Sequence, residues 1–177
     1  MILTYHEILD CVEKGLIHIS PFDEAMVNPN SCDYRIDYNL LEISDLPVDP
    51  KRRTSYHEIN FTDDGYVLSP HKTYLANTFE EIGSDFFVPS LMGKASLGSL
   101  GLFLQITADL GNLGAKHKWT LELKAVQPLK IYPMMRIGQV SFWKTTGDQS
   151  LQYKGKYDKF SHAKSSEIYT EFCQKTT

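Results

Sequence analysis

Four runs between residues 93 and 139 decide how this chain is read. They are Gly93-Lys94-Ala95-Ser96-Leu97-Gly98-Ser99-Leu100-Gly101-Leu102, Thr107-Ala108-Asp109-Leu110-Gly111-Asn112-Leu113-Gly114, Trp119-Thr120-Leu121-Glu122-Leu123-Lys124-Ala125 and Arg136-Ile137-Gly138-Gln139. In order, they are a Gly/Ser-rich turn leading into an apolar strand, a second Gly-rich turn, a strand carrying a carboxylate, and a strand that follows a Pro-Met-Met turn. In the third run Trp119, Leu121, Leu123 and Ala125 share one face of the strand, and Thr120, Glu122 and Lys124 share the other. Lining a cleft, Glu122 would be partly desolvated and could serve as a general base on water. On a solvated face it would be an ordinary exposed glutamate. Glycine-rich turns let backbone N–H groups approach a ligand closely, which suits phosphate. Lys94, Ser96, Arg136 and Gln139 are cations or donors beside such turns.

The flanking sequence has the same short-strand character. Thr4 and Glu7 form a capping box, and Tyr5, Ile8, Leu9 and Val12 at helical spacing predict a helix over residues 5–14, stopped at Lys14-Gly15. Strands are predicted at 16–19, 31–36, 40–43, 66–68, 74–78 and 139–144, with an irregular stretch at 21–30 and a loop at 44–57. Short strands punctuated by Gly and Pro predict an all-β barrel or double-sheet fold with one N-terminal helix, in a single domain covering 1–177. Residues 145–177 form a polar tail that includes Tyr153, Lys154, Lys156, Tyr157 and Lys164, with a turn or two of helix at 166–172.

Bulk properties limit the function. The 177 residues carry a formal net charge of -4, which argues against a nucleic-acid polymer as partner. The basic run Lys51-Arg52-Arg53 is read as a solvated loop. Three widely spaced cysteines, Cys11, Cys32 and Cys173, form neither a C-x-x-C pair nor a zinc-type cluster, so free thiols in a reducing compartment are expected. No signal-peptide pattern or membrane-length apolar run is present, and a cytoplasmic location away from membranes is expected.

Taken together, these runs resemble the dCTP deaminase family within the wider dUTPase-like group. Residues 93–102 follow the family's G-[RK]-S-S-L-x-R-L-G-L run, and residues 107–114 follow its T-A-x-x-I-D-P-G run. Leu121-Glu122 falls on its L-E strand, and Arg136 to Phe142 fall on R-I-G-Q-x-S-F. Val27-x-Pro29-x-Ser31-x-Asp33-x-Arg35 and the late Gly155-Lys156-Tyr157 are placed as in the family too. The resemblance implies a distorted β-barrel protomer, a homotrimer with sites between subunits, and a pyrimidine deoxynucleoside triphosphate bound with magnesium and no protein metal site. It also implies zinc-free conversion of dCTP to dUTP, in keeping with the lack of H-x-E and P-C-x-x-C elements. Glu122 takes the place of the general base, and the backbone at Thr107-Ala108 shapes the base pocket. Lys94, Ser96, Arg136 and Gln139 face the phosphates, while Tyr153, Lys156 and Tyr157 belong to a closing tail. Ala95, Ser99 and Asn112 stand where the family has a serine, an arginine and an aspartate. Those three positions raise the alternative of a nucleotide-binding protein without catalysis.

Overall fold

The computed structural model describes residues 1–105, 107–153, 163 and 165–173. Lys154, Gly155, Lys156, Tyr157 and Lys164, placed above in the tail, lie outside the described residues. In chain order the elements are α1 (Tyr5–Glu13), β1 (His18–Ser20), a 3-10 turn (Glu24–Met26), β2 (Val27–Asn28), β3 (Ser31–Ile43), β4 (Tyr56–Ile59), β5 (Tyr66–Leu68), β6 (Tyr74–Gly83) and β7 (Phe87–Gly93). Then follow α2 (Ala95–Gly98), β8 (Leu102–Leu104), β9 (Lys116–Ala125), β10 (Leu129–Ile131), β11 (Arg136–Lys144) and α3 (Tyr169–Cys173).

Among the described residues, nine strands form one antiparallel sheet with the path β7-β11-β3-β6-β9-β8, while β1 joins β6 and β2 and β4 join β3. The sheet curls into a nearly closed barrel, and β5 and β10 pair separately beside it. The barrel is filled by inward residues of alternating strands. Tyr34, Ile36 and Leu40 from β3, Tyr74, Ala76 and Ile82 from β6, Leu121 and Leu123 from β9, and Ile137, Val140 and Phe142 from β11 are all buried. The apolar face predicted for β9 is therefore the core face, and Glu122 lies on the other side.

Helix α1 forms as its capping box predicts. The Thr4 N–H donates to the Glu7 carboxylate at 3.3 Å, and Gly15 closes the helix at a φ of 69°. Ile8 and Cys11 bury its apolar stripe against the barrel.

Three local expectations are corrected. Residues 21–30 are not irregular throughout: Asp23 accepts the Ala25 N–H at 3.0 Å and caps the 3-10 turn, which feeds β2. The two strands expected between 31 and 43 are one strand with a register shift between Ile36 and Leu40. The Gly/Ser-rich turn at 93–101 contains a helical turn, α2, with Lys94 as its N-cap. Ala, Ser and Leu tolerate that turn, and Gly101, at a φ of 85°, ends it.

All three cysteines are free thiols, as expected. No helix among the described residues is long and apolar enough to cross a membrane.

Candidate active site

The site begins with the β6–β9 ladder. Leu75 stands opposite Glu122 and Ala76 opposite Leu121, so the core pairing fixes which way Glu122 points. Higher up β9 the Trp119 indole N–H donates to the Ile82 carbonyl at 2.8 Å, and its backbone N–H donates to Thr78 Oγ1 at 2.9 Å. These bonds hold the indole at the wall of a cavity of about 440 Å³. Its size falls in the range of small-molecule sites. Glu122, Ala108 and Asn112 line it, as do Trp119, His117 and Thr120 from β9 and Leu75 from β6. The rings of His117 and Trp119 lie 4.4 Å apart at 34°, giving the wall a flat aromatic surface.

Glu122 keeps its carboxylate exposed in this single chain. The desolvation expected of a cleft carboxylate is therefore not supplied by one chain alone. Among the described residues no hydrogen bond or ion pair engages that carboxylate, so both oxygens are available to water. A competitor in sequence, Asp109, is already engaged: its carboxylate accepts from Ser90 Oγ at 3.2 Å and its carbonyl from the Leu91 N–H at 2.8 Å. It anchors the turn, the role expected of an aspartate there.

The tail returns to the cavity. Tyr153 and Ser166 line it, the Tyr153 N–H donates to the Leu113 carbonyl at 2.9 Å, and the Ser166 N–H donates to the Tyr56 hydroxyl at 3.4 Å. Lys156 and Tyr157 lie outside the described residues.

A second group of predicted residues gathers elsewhere, around Asp33. This carboxylate is 3% exposed. Lys94 Nζ donates to it at 2.5 Å, Asn28 Nδ2 at 2.9 Å and Gln139 Nε2 at 3.2 Å, and Arg136 Nη1 lies 3.6 Å away. Burial alone would raise the Asp33 carboxyl pKa; the bonds from Lys94 and Asn28, with the Lys94 charge, outweigh it and hold the value below the ordinary one. Gly138 belongs to the same run, and its missing side chain makes room for the Tyr34 ring and the Met92 carbonyl. The Tyr34 hydroxyl donates to that carbonyl at 3.1 Å. Arg35, next along β3, is structural: its N–H and side chain both bond the fully buried Glu80, at 2.8 and 2.6 Å.

The third group sits on α2. Ala95, Ser96 and Ser99 are exposed, and Ser99 Oγ donates back to the Ala95 carbonyl at 3.0 Å. Thr107 is exposed and outside the cavity lining. The chain thus brings Glu122, Ala108, Asn112 and Tyr153 together, and Lys94, Arg136 and Gln139 together, but does not join the two sets in one cavity.

Sequence reasoning missed Gln105, His117, Thr120, Leu75 and Tyr56 as lining residues. Two carried a usable local signal: Gln105, a polar residue ending an apolar strand, and Thr120, on the same face of β9 as Glu122. Leu75 and Tyr56 reach the cavity through long-range pairing.

Fold and cavity together define a β-barrel protein with a cavity of small-molecule size, walled by aromatic rings and one carboxylate unengaged among the described residues. The chain belongs to the dCTP deaminase-like family, which matches residues 2–145. It is 35% identical over 172 residues to the "dCTP deaminase, dUMP-forming" of Clostridium acetobutylicum, covering 97% of this chain and 99% of that protein. It is 37% identical over 172 residues to the protein of the same name from Clostridium beijerinckii, with 97% and 99% covered. Among solved structures, the 2'-deoxycytidine 5'-triphosphate deaminase of Agrobacterium tumefaciens matches with a TM-score of 0.63 at 20% identity, over 80% of this chain and 47% of that one. That likeness shows the fold, and this chain spans about half the length of that protein.

Proposed function

We propose that this chain is a deaminase of dCTP in which Glu122 is the general base. The observation that carries this is the unengaged Glu122 carboxylate on the wall of the cavity, at the family's L-E position. A water held between Glu122 and C4 of cytosine gives its proton to the carboxylate as its oxygen bonds to C4. The N3=C4 electron pair moves to N3, which takes up that proton from Glu122; the carboxylate then carries the remaining hydroxyl proton to the amino nitrogen, the C4–N bond breaks, and ammonia leaves a C4 carbonyl beside N3–H. Trp119 and His117 offer the ring a flat surface. The sequence pattern gives the reaction no zinc signature.

The product expected from the resemblance was dUTP. The relatives are named as forming dUMP, one hydrolysis further, and we take dUMP and pyrophosphate as the end products. Asn112 lines the cavity where the family has an aspartate; it can hydrogen-bond the sugar but cannot act as a base. A binding-only role, raised by Ala95, Ser99 and Asn112, finds no support in these relatives.

The separation of Glu122 from Lys94, Ser96, Arg136 and Gln139 within one chain supports a site completed between subunits of a homotrimer. One chain would supply the carboxylate, and its neighbour the phosphate-facing cations. Among the described residues no group of three or more His, Cys, Asp or Glu could cage a metal. The residues therefore suit magnesium carried in on the triphosphate and held by phosphate oxygens and water, where it would offset the phosphate charge. Tyr153 and Ser166 at the cavity support a tail from residue 145 onward that closes over the nucleotide. Free thiols and the nucleotide substrate suit a cytoplasmic enzyme.

The test is incubation with dCTP or dUTP plus magnesium, scored for ammonia and pyrophosphate, with binding followed by calorimetry. Wild-type protein releases ammonia from dCTP. Glu122→Gln keeps the shape and loses the base, so ammonia release falls by at least about 100-fold, while affinity stays within a few fold. Tight dCTP binding by the wild type with neither product would sink the enzyme reading.

A further inference from the structure

Gln105 is a polar side chain of the cavity that neither the resemblance nor the proposed mechanism uses. Gln105 stands just past β8 at a φ of 48°, a conformation seldom taken by a residue other than glycine. It is 8% exposed and lines the cavity beside Glu122. Its side-chain carbonyl accepts the Glu122 backbone N–H at 3.0 Å. A backbone N–H can only donate, so the oxygen of the amide must face Glu122 and the NH2 end is the free one. Among the described residues that NH2 takes no partner. It is not sealed in either, since the orphaned buried polar atoms there are Asn39 Oδ1 and Asn77 Oδ1.

We propose that Gln105 is a positioning and specificity residue for the pyrimidine, its NH2 donating to N3 of cytosine, next to the carbon that Glu122's water attacks. This rests on the deaminase reading given above. In cytosine both N3 and O2 are acceptors; in uracil N3 carries a hydrogen. A donor whose sense is fixed by Glu122 therefore favours the substrate ring over the product ring. A hydrogen bond to N3 also draws density from the N3=C4 bond, which makes C4 more open to attack. Once uracil forms, its N3–H faces the NH2 donor and the product is held less well. Ala95 and Ser99, at the family's serine and arginine positions, do not line this cavity.

The test compares dCTP with dUTP, which carry the same charge, so any altered repulsion cancels in their affinity ratio. Calorimetry is done in the Glu122→Gln background, where dCTP stays intact. Adding Gln105→Glu keeps the acceptor for the Glu122 N–H but replaces the donor, and should cut the dCTP-to-dUTP affinity ratio about tenfold, the worth of one hydrogen bond. Gln105→Met removes both ends and should cut it by a smaller factor. In the otherwise wild-type chain, Gln105→Met lowers kcat for ammonia release more than it changes KM.

A ratio that stays the same in both variants, whatever happens to absolute affinity, would make Gln105 a mere strut for β9 and overturn the assignment. If wild type deaminates and Glu122→Gln does not, an unchanged ratio defeats only the Gln105 inference. If wild type neither binds nor deaminates dCTP, the functional reading falls and this falls with it. Should both variants fail to fold, NMR of the Gln105 side-chain amide in the Glu122→Gln protein decides. Its protons should move with dCTP and much less with dUTP; equal response to the two overturns the inference.

Discussion

Replacing Asp33 by alanine tests the cation cluster as a unit. Three donors converge on this carboxylate at 2.5, 2.9 and 3.2 Å, from Lys94, Asn28 and Gln139. A hydrogen bond to a charged group contributes about 1.5–3 kcal/mol, but desolvating the carboxylate offsets much of the sum. Breaking a buried pair by removing one partner costs about 3–5 kcal/mol. Here the Lys94 side chain is 22% exposed and that of Arg136 50%, so both stranded cations reach water. The lower end applies, about 3 kcal/mol, or a Tm drop of about 6–12 °C for a chain of this size. Asp33→Asn keeps one acceptor and should lose about half as much.

The pH dependence fixes the cause. The folded carboxyl is held below its ordinary value of 3.8. Its stabilisation is complete above that value and is lost as pH falls through the lower folded one. The stability gap between wild type and Asp33→Ala should therefore be flat from neutral pH to about pH 5 and close as the solution passes below about pH 4. Urea melts across that range, at matched protein concentration because assembly shifts apparent stability, provide the assay. A gap below about 1 kcal/mol at neutral pH, or one that does not narrow in acid, would refute the assignment of Asp33 as the ionised hub.

Three further outcomes are expected. Arg136→Ala should weaken triphosphate binding by about 1.5–3 kcal/mol in calorimetry; an unchanged dissociation constant would remove Arg136 from the phosphate site. Nucleotide should slow amide exchange between Tyr153 and Ser166, and equal exchange with and without ligand would mean that the tail does not close. Ala95→Ser with Ser99→Arg, made together because groups acting as a unit are not additive, should raise ammonia release; a rate no higher than wild type would show that this site does not use α2.

Much of the barrel could be read in the chain because alternation is a local signal. Leu121, Leu123 and Ala125 of β9 point inward as the pattern says, with Trp119 half-buried at the cavity wall, and α1 follows from Thr4, Glu7 and its apolar spacing. Places where side-chain bonding overrides composition were harder. The Asp23 cap makes a 3-10 turn in a stretch rich in proline and asparagine, and α2 forms where Gly and Ser suggested only a turn.

Single polar residues could be picked out locally, and how they are assembled could not. Lys94, Arg136 and Gln139 were expected to face phosphates, yet nothing local reveals that a buried carboxylate already holds them together. Glu122 was found by its face, but its partners in the cavity come from β6, from the end of β8 and from the tail, at separations no periodicity spans.

Gly138 carries a lesson about reading motifs as ligand signatures. The Arg-Ile-Gly-Gln run looks like a phosphate grip in which glycine frees the backbone for the ligand. Here that glycine is a keyhole for Tyr34, whose hydroxyl locks onto the edge of β7 through the gap. Arg136 and Gln139 flank that keyhole and are themselves held by the buried Asp33 carboxylate. A protein engineer could not re-aim them by altering position 138 without first shrinking Tyr34. A lineage drifting at either site would have to change both. The glycine of this motif thus answers to the packing of the barrel.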